Sequence, residues 1–200
     1  MSYHLTEAET LQNTAAIYYN KGLKLAEQNY ISSAVKELKR AVCINQEDIT
    51  VWNLLGLCYY RLGEYESSAY CWSESIKHRT EENKAHEYLE AVSNIIKTFT
   101  PAITAVQGYA ENKEYKKAIF YFENEVIGYF NPAAALFNYG GTLRYIIGDR
   151  SSAFSYFRKT LEIDRSNIYA ARVILENARP AGIIKSYLHS WLAKLPRIKT

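Results

Sequence analysis

The sequence predicts an all-α protein, and two observations lead to that prediction. The first is composition, because 48% of the residues are hydrophobic while the 200 residues include only 9 glycines and 4 prolines. An all-β protein needs many tight turns, which glycine and proline supply, so a chain this poor in them favours helices. The second is an internal repeat, in which small and aromatic residues return at helical spacings. Together they predict helix pairs that recur along the chain.

Two short patterns carry the repeat. In the first, an aromatic residue stands four positions before a glycine: Tyr18/Gly22, Trp52/Gly56 and Phe137/Gly141. In the second, a small residue stands four positions before a bulky one: Ala34/Leu38, Ser68/Trp72, Ala118/Phe122 and Ala153/Phe157. Gly22 and Gly56 are 34 residues apart. Residues four positions apart lie on one face of a helix, so each pattern marks the packed face of one helix.

A turn is expected between the two helices of each unit. The predicted turns lie near Asn29, Gly63, Lys113 and Gly148. Glycine on the first helix and alanine or serine on the second let the two backbones approach closely, and the bulky side chains fill the space beside them. An antiparallel pair of this kind cannot bury its apolar face alone, so successive units are expected to stack.

These residues resemble the tetratricopeptide repeat family, and residues 49–82 match it best. The matching positions there are Trp52, Leu55, Gly56, Tyr59, Gly63, Tyr65, Ala69, Trp72 and Ile76. Four units are assigned, at residues 15–48, 49–82, 99–132 and 134–167. The resemblance implies a right-handed helical solenoid of antiparallel helix pairs with capping helices, about 11 helices in all. The chain departs from the family at Ala102 and Val106, which replace the aromatic residue and the glycine, and at Arg144, which replaces a tyrosine.

The second and third units are separated by more than one repeat. Residues 83–97 supply the extra length and carry an apolar stripe of helical period, which predicts one additional helix. We therefore expect an N-terminal half at residues 1–97 and a C-terminal half at residues 98–200. Pro101 and Pro180 are expected at helix starts, where the missing N–H of proline costs nothing.

The basic C-terminal segment has two interpretations. Residues 168–178 and 181–195 are predicted to be capping helices over the last unit, together spanning 168–195, because solenoids need polar caps for solubility. Residues 181–197 also form an amphipathic, basic stretch without an acidic residue. Such stretches are typical of helices that contact an anionic membrane surface or dock into a partner.

The sequence contains no recognisable catalytic or cofactor signature. Phosphate-binding loops, zinc-protease motifs, calcium loops and nucleophile elbows are missing, so we expect a non-catalytic protein without a cofactor. No histidine stands at the i+3 or i+4 spacing of helical metal ligands from another histidine or a cysteine, and no metal site is predicted. Cys58 and Cys71 are interpreted as small core residues rather than reactive thiols.

Charge and cysteine usage indicate which partners and which cellular compartment to expect. The net charge of +3 comes from 24 basic and 21 acidic residues, a balance that does not favour nucleic-acid binding. Three cysteines without C-x-x-C spacing and a start without signal-peptide features favour the cytoplasm. Residues 126–143 are uncharged but contain several turn formers, so no integral membrane segment is predicted.

The resemblance also implies where a ligand binds. In tetratricopeptide repeats the first helices line a concave groove that holds peptides or helices of partner proteins. The matching positions are Tyr19, Leu23, Asn53, Leu57, Tyr60, Arg61, Asn138, Thr142 and Tyr145. An asparagine amide offers a donor and an acceptor to a peptide backbone, and tyrosine supplies amphipathic contact area. For Tyr19 and Tyr60 a second interpretation stays open, in which a neighbouring helix covers the ring.

The predicted function is that of a non-catalytic protein-interaction adaptor or scaffold that binds a peptide or helix of a partner. Family members that grip the acidic C-terminal tails of chaperones use lysine and asparagine at two inner positions of their first unit, where this chain has Tyr19 and Leu23. The expected ligand is therefore mixed apolar and polar rather than a terminal carboxylate. The alternative is a chaperone-like module that shields an apolar segment of a client. The sequence leaves the oligomeric state open.

Overall fold

The computed structural model describes residues 6–176 of the chain. Within them it has nine α-helices and one π-helical segment: α1 Glu7–Glu27, α2 Ile31–Ile44, α3 Ile49–Leu62, α4 Tyr65–His78, α5 Ala85–Glu111, α6 Tyr115–Tyr121, the π-helix Phe122–Ile127, α7 Ala134–Ile146, α8 Arg150–Ile163 and α9 Ile168–Glu176. The described residues contain no β-strand, which confirms the predicted all-α class. The difference from the predicted helix count has two sources, a fused helix and the chain beyond residue 176.

The same turn closes four helix pairs. A residue one or two positions after the first helix has a positive φ at the four predicted positions, Asn29 (63°), Gly63 (82°), Lys113 (62°) and Gly148 (84°). The next N–H donates to the carbonyl five residues back: Tyr30 to Leu25, Glu64 to Tyr59, Glu114 to Tyr109 and Asp149 to Arg144. This left-handed residue with a long return bond satisfies carbonyls that a helix end leaves unpaired. The predicted turns are confirmed.

The predicted close approach at the glycines is confirmed as well. A Cβ atom on these glycines would lie 2.7–2.8 Å from a side-chain carbon of the second helix: Leu38 for Gly22, Trp72 for Gly56 and Phe157 for Gly141. The small residues of the second helices are fully buried: Ala34, Ser68, Ala118 and Ala153. Only a residue without a side chain fits at such a contact, so each glycine sets the distance between two helices.

Contacts divide the chain into two compact units. Among the described residues, the first contains 6–94 with Ile163–Ser166, and the second contains Ile95–Glu162 with 167–176. In the first unit α1 packs on α2, α2 on α3 and α3 on α4. Its core is built from fully or almost fully buried side chains that include Ile31, Leu38, Val51, Leu55 and Trp72.

In the first unit, α2 receives its N-terminal cap from a distant part of the sequence. Its own N-cap residue, Tyr30, makes no side-chain capping bond. The fully buried Asp164 instead accepts hydrogen bonds from the N–H of Ser32 at 3.1 Å and from the Ser32 hydroxyl at 2.5 Å. The N–H of Ser33 donates to the Ser166 hydroxyl at 3.1 Å. Two of the four N–H groups that a helix start leaves unpaired are thereby satisfied.

The prediction that a helix starts at Pro101 is wrong. The predicted extra helix 83–97 and the first helix of the third unit form one continuous helix, α5, with Pro101 inside it. Proline removes the bond to the carbonyl of Lys97, but Lys97 and Pro101 are both exposed, so water can solvate that carbonyl. The helix persists because an apolar stripe runs through the proline without interruption: Val92, Phe99, Ile103, Val106 and Ala110 are buried.

In the second unit, Arg144 and Gly140 of α7 both contact the π-helix. The Arg144 guanidinium donates to both carboxylate oxygens of Glu123 at 2.6 and 2.7 Å and to Asp149 at 3.1 Å. The Tyr156 hydroxyl donates to the same Glu123 at 3.0 Å. Arg144, which departs from the family pattern, therefore joins α7 to the π-helix through a bidentate ion pair. The adjacent Gly140 makes room for Phe122, whose ring carbon lies 2.6 Å from the position of a Cβ atom.

The helix α9 covers the fourth pair, where the first capping helix is predicted. Its Ala170 and Val173 are buried in one cluster with Ala153 and Phe157 of α8. The predicted second capping helix, 181–195, lies outside the described residues, as does the possible membrane contact of residues 181–197. Between residues 6 and 176, no helix has both the length and the apolar character needed to cross a membrane.

Candidate functional site

Five predicted groove residues lie on neighbouring helices of the first unit. Tyr19 and Leu23 are one turn apart on α1, and Asn53, Leu57 and Tyr60 follow one face of α3. The two helices contact each other directly. Leu57 is 37% exposed although it lies in the middle of α3, and the other four residues are half-buried. These five residues are termed the α1–α3 face.

In the Asn53 side-chain amide the nitrogen is hydrogen-bonded, whereas the oxygen is not bonded to any described residue. Its Nδ2 donates to Oδ1 of Asn83 at 3.1 Å. Asn83 is itself fixed, because its amide donates to the Ser75 carbonyl at 3.1 Å and its Oδ1 accepts from the N–H of Ala85 at 3.0 Å. The Oδ1 of Asn53 has no hydrogen-bond partner among the described residues. A buried acceptor without a partner is costly, but this oxygen is shielded from solvent, so a ligand N–H reaches it only when the Asn53 amide turns towards the surface.

Tyr60 packs partly against its own unit. Its ring centroid lies 5.6 Å from that of Tyr65 and 6.3 Å from that of Trp72, both on α4. These tilted contacts contribute to the packing of α3 on α4. The helix α4 therefore covers part of the Tyr60 ring, as in the second interpretation. Tyr60 as a whole is half-buried, and it lies one turn after Leu57 on α3.

Arg61 has a structural role at the end of α1. Its guanidinium donates to Oδ1 of Asn29 at 2.7 Å and to the carbonyl of Ala26 at 3.4 Å. Asn29 is the residue in the left-handed conformation that ends the first helix. A cation here also interacts favourably with the C-terminal end of the helix dipole. Arg61 therefore joins α3 to the turn after α1 and is engaged within the protein.

The three predicted groove residues of the second unit are placed differently. Asn138 is 2% exposed and Thr142 is fully buried. The Thr142 hydroxyl donates to the carbonyl of Asn138 at 2.7 Å and is hydrogen-bonded to the Tyr169 hydroxyl of α9 at 3.1 Å. Tyr145 is half-buried, with the Phe154 ring 6.5 Å away and the Arg150 guanidinium over its face at 5.8 Å. Asn138 and Thr142 are thus out of reach of a ligand in this conformation.

The helix pairs share three features that define the repeat. Three of the four pairs have a glycine in close contact with the second helix, and all four have a fully buried small residue at the fourth position of the second helix and the same left-handed turn. These features are those of the tetratricopeptide repeat fold. Most of the described residues, from α1 to α8, follow this fold, and α9 adds a covering helix to it.

Known proteins match this chain through structure alone. No protein-family model matches the sequence, and neither does any curated protein. The tetratricopeptide repeat domain of P58(IPK) is 14% identical, with 90% of this chain and 56% of that chain covered and a TM-score of 0.48. MamA from Desulfovibrio magneticus RS-1 is 15% identical over 92% of this chain and 98% of that one, with a TM-score of 0.38. YrrB, a tetratricopeptide repeat protein with an unusual peptide-binding site, is 15% identical over 84% and 99%, also with a TM-score of 0.38.

Two of the three cysteines in these repeats are buried between helices. Cys58 and Cys71 are each 2% exposed, whereas Cys43 is exposed, and all three thiols are free. Burial raises the pKa of both Cys58 and Cys71 to about 12, because the thiolate is poorly solvated there. A thiol that stays protonated is a weak nucleophile. The positions match the predicted role as core residues.

The repeats bring together no obvious metal-ligand set. In the part of the chain that the structure describes, no three His, Cys, Asp or Glu side chains come close enough to hold a metal ion. His86, which lies near His78 in the sequence, has its Nε2 hydrogen-bonded to the carbonyl of Thr80 at 3.0 Å. The α1–α3 face offers amide, hydroxyl and apolar contacts.

Sequence reasoning missed one surface of the repeats, on α6. The third repeat contains Phe120, which is 69% exposed, between the buried Ile119 and Phe122. A signal was present in the sequence. Ala118 and Phe122 are the expected core positions, and a residue two positions before Phe122 points away from them on a helix. Phe120 follows two lysines, Lys116 and Lys117, on the same exposed side.

Proposed function

We propose that this protein is a non-catalytic protein-interaction adaptor that holds a peptide or helix of a partner against the α1–α3 face. The observation that carries the proposal is the pairing of an exposed apolar side chain with an unused amide. Leu57 is 37% exposed, and one turn before it lies the half-buried Asn53, whose Oδ1 lacks a hydrogen-bond partner among the described residues and would accept from a ligand once the amide turns towards the surface. An extended peptide offers both an apolar side chain and a backbone N–H at that spacing.

The chemistry of this face favours a neutral ligand. Its five members are two leucines, two tyrosines and one asparagine, and none of them carries a charge. Of the two cations adjacent to these residues in sequence, Arg61 is engaged with Asn29 and Ala26, and Lys24 follows Leu23 on the exposed surface of α1. A terminal carboxylate would find no charged partner among these five residues, so the ligand is expected to bind through an internal segment. Three free thiols agree with action in a reducing compartment such as the cytoplasm.

The test is binding to an array of internal 15-residue peptides, amidated at the C-terminus, that combine apolar and polar residues. We expect a subset to bind, and their affinity, measured by fluorescence anisotropy, to fall about 5- to 30-fold in Leu57→Ala, the range for loss of an apolar contact. Asn53→Ala is expected to weaken binding by about 5-fold through loss of one hydrogen bond. Tyr60 is left intact because its ring packs on Tyr65 and Trp72.

The matched control is Ile17→Ala, which removes a 65% exposed apolar side chain from the opposite side of α1. It should leave the affinity unchanged. Equal binding by Leu57→Ala and wild type, with both proteins folded by circular dichroism, would exclude this face. If instead no peptide binds specifically but the protein suppresses aggregation of several apolar clients, the chaperone-like alternative replaces the adaptor.

A further inference from the structure

The helix α6 exposes an aromatic side chain among lysines. Its inner side is buried, with Ala118 at 0% and Ile119 at 6% exposure, whereas Phe120 is 69% exposed. Phe120 stands four positions after Lys116 and three after Lys117, so the three side chains share one side of the helix. Leaving a phenyl ring in water forgoes the free energy of its burial. Lys113, Lys116, Lys117, Phe120 and Tyr121 are termed the α6 face.

Two of the lysines on the α6 face are not neutralised by the protein. Lys117 forms an ion pair with Glu114, and this hydrogen bond raises the pKa of the Lys117 ammonium. Lys113 and Lys116 are exposed and have no ion-pair partner within residues 6–176. The α6 face therefore carries uncompensated positive charge next to its exposed ring, which attracts anionic groups.

The surface around α6 has a shallow, open cleft on each side of the lysines. One cleft of about 420 Å³ is lined by Tyr109, Lys116, Lys117, Phe120 and Tyr121. A second cleft of about 450 Å³ is lined by Lys113, Glu114, Tyr115, Lys116, Lys117 and Ile147. Lys116 and Lys117 belong to both. Each cleft thus combines an ammonium group with an aromatic or aliphatic wall, and 39% of Ile147 is exposed in the second.

We propose that the α6 face docks an acidic peptide segment of a partner protein, with an aromatic or aliphatic anchor residue in the cleft beside Phe120 and carboxylates on Lys113 and Lys116. Charge complementarity selects the acidic residues, and the exposed ring selects the anchor. The site lies in the second unit and shares no residue with the α1–α3 face, so it is independent of the function proposed above.

The shape of the α6 face favours a peptide over a lipid surface. A helix that lies on a membrane presents a wide apolar face flanked by basic residues over many turns. The helix α6 has seven residues, and Phe120 is the one large apolar side chain exposed on it. Clefts on both sides of the lysines accept individual side chains, which a peptide supplies and a bilayer does not.

The experiment uses the full chain and a set of fluorescent 12-residue peptides. Each peptide consists of Asp, Glu and Gly with one central anchor, which is Phe, Trp, Leu or Gly. We expect the Phe, Trp or Leu peptides to bind more tightly than the Gly peptide, and binding to weaken as salt increases. Lys113→Gln with Lys116→Gln should weaken binding about 5-fold, as expected for two exposed ion pairs. Phe120→Ser should weaken it about 10-fold.

The charge-matched control is Lys36→Gln with Lys84→Gln, two exposed lysines of the first unit. It lowers the net charge equally and should leave the affinity unchanged. The proposal is overturned if no acidic peptide binds below 1 mM, on the order of the weakest specific binding, or if the control weakens binding as much as the α6 variants. It is also overturned if Phe120→Ser abolishes binding to phosphatidylserine vesicles but not to peptides, or dissociates a homodimer seen by sedimentation.

Discussion

Gly56 and Gly108 are both helical glycines, but their surroundings are opposite. A Cβ atom on Gly56 would lie 2.7 Å from Cε2 of Trp72, whereas nothing lies within 4 Å of one on Gly108. Trp72 is 2% exposed and is also held by Tyr88, whose ring centroid is 5.2 Å away, so it has little room to move. The same substitution is therefore expected to have opposite effects at the two positions.

Gly56→Ala should lower the free energy of unfolding by about 1–3 kcal/mol, because the added methyl group overpacks the contact with Trp72. Gly108→Ala should raise it by about 0.5–1 kcal/mol, since alanine restricts the unfolded chain and fits the helix. Urea denaturation followed by circular dichroism measures both. Equal effects of the two substitutions would contradict the close approach at Gly56.

The buried thiols make stability depend on pH in a defined direction. In the unfolded chain Cys58 and Cys71 have their ordinary pKa of 9.0. In the folded protein burial raises the pKa of both thiols to about 12. Between these values the unfolded state releases protons that the folded state retains. The contribution of the thiols to stability is therefore complete below pH 9 and is lost as pH rises towards 12.

We expect the free energy of unfolding to fall above pH 9 by about 1 kcal/mol per pH unit for each buried thiol. The comparison is between wild type and Cys58→Ala with Cys71→Ala, using denaturant titrations from pH 7 to 10.5. The variant is expected to be less stable at every pH, but its stability should decline less steeply with pH because it lacks the two thiols. The decline that remains comes from the tyrosines, which titrate in both proteins. Parallel declines would show that the thiols ionise normally in the folded state.

At the scale of the element, α2 depends on residues more than 130 positions away in the chain. Asp164 takes the place of a local N-cap, and its second hydrogen-bonding partner is Ser166, whose hydroxyl donates to it at 2.6 Å. The backbone of Arg165 adds a bond from its N–H to the carbonyl of Asn29 at 2.7 Å. Ile163–Ser166 thereby belongs to the first unit, although the helices on both sides of it belong to the second.

Asp164→Ala should lower the free energy of unfolding by about 1–2 kcal/mol, as for loss of an N-cap. Asp164→Asn should recover most of this, because asparagine also accepts hydrogen bonds from helix N–H groups. The local measurement is hydrogen exchange: the amides of Ser32 and Ser33 should exchange faster in the alanine variant than in wild type. Unchanged exchange at these two amides would mean that the cap does not protect the start of α2.

At the scale of the whole molecule, the two candidate surfaces belong to different compact units. The α1–α3 face lies in the first unit, and the α6 face lies in the second. They also differ in chemistry, since the first combines an amide with apolar groups and the second combines lysines with an exposed ring. Taken together, the two proposals predict a protein that binds two dissimilar segments.

Binding at the two surfaces should be separable. Leu57→Ala should leave the affinity for the acidic peptides unchanged within about 2-fold, and Phe120→Ser should do the same for the neutral peptides, because substitutions in separate units that share no contact partner are expected to act additively. Isothermal titration of each variant with each peptide class measures this. A single variant that weakens both classes equally would indicate damage to the fold or one shared site.

The helical pairs and their turns could be predicted from the sequence because the interactions that produce them are local. The aromatic, glycine and small residues repeat at fixed spacings, and Asn29, Gly63, Lys113 and Gly148 stand where a left-handed residue ends a helix. The start of α1 at Glu7 is also encoded locally, by the capping box of Thr6 and Glu9. The repeat pattern does not extend that far, so it places the start of the first unit at residue 15.

Tertiary structure decided what these spacings leave open. Pro101 looked like a helix start, yet burial of a continuous apolar stripe outweighs the one hydrogen bond that proline removes. Asn138 and Asn53 occupy the same repeat position, but Asn138 is 2% exposed and Asn53 is half-buried. The cap of α2 by Asp164 and the engagement of Arg61 at the end of α1 likewise depend on which segments meet in space. Spacing fixes the face on which a residue lies, whereas the packing of distant segments determines whether that face is covered.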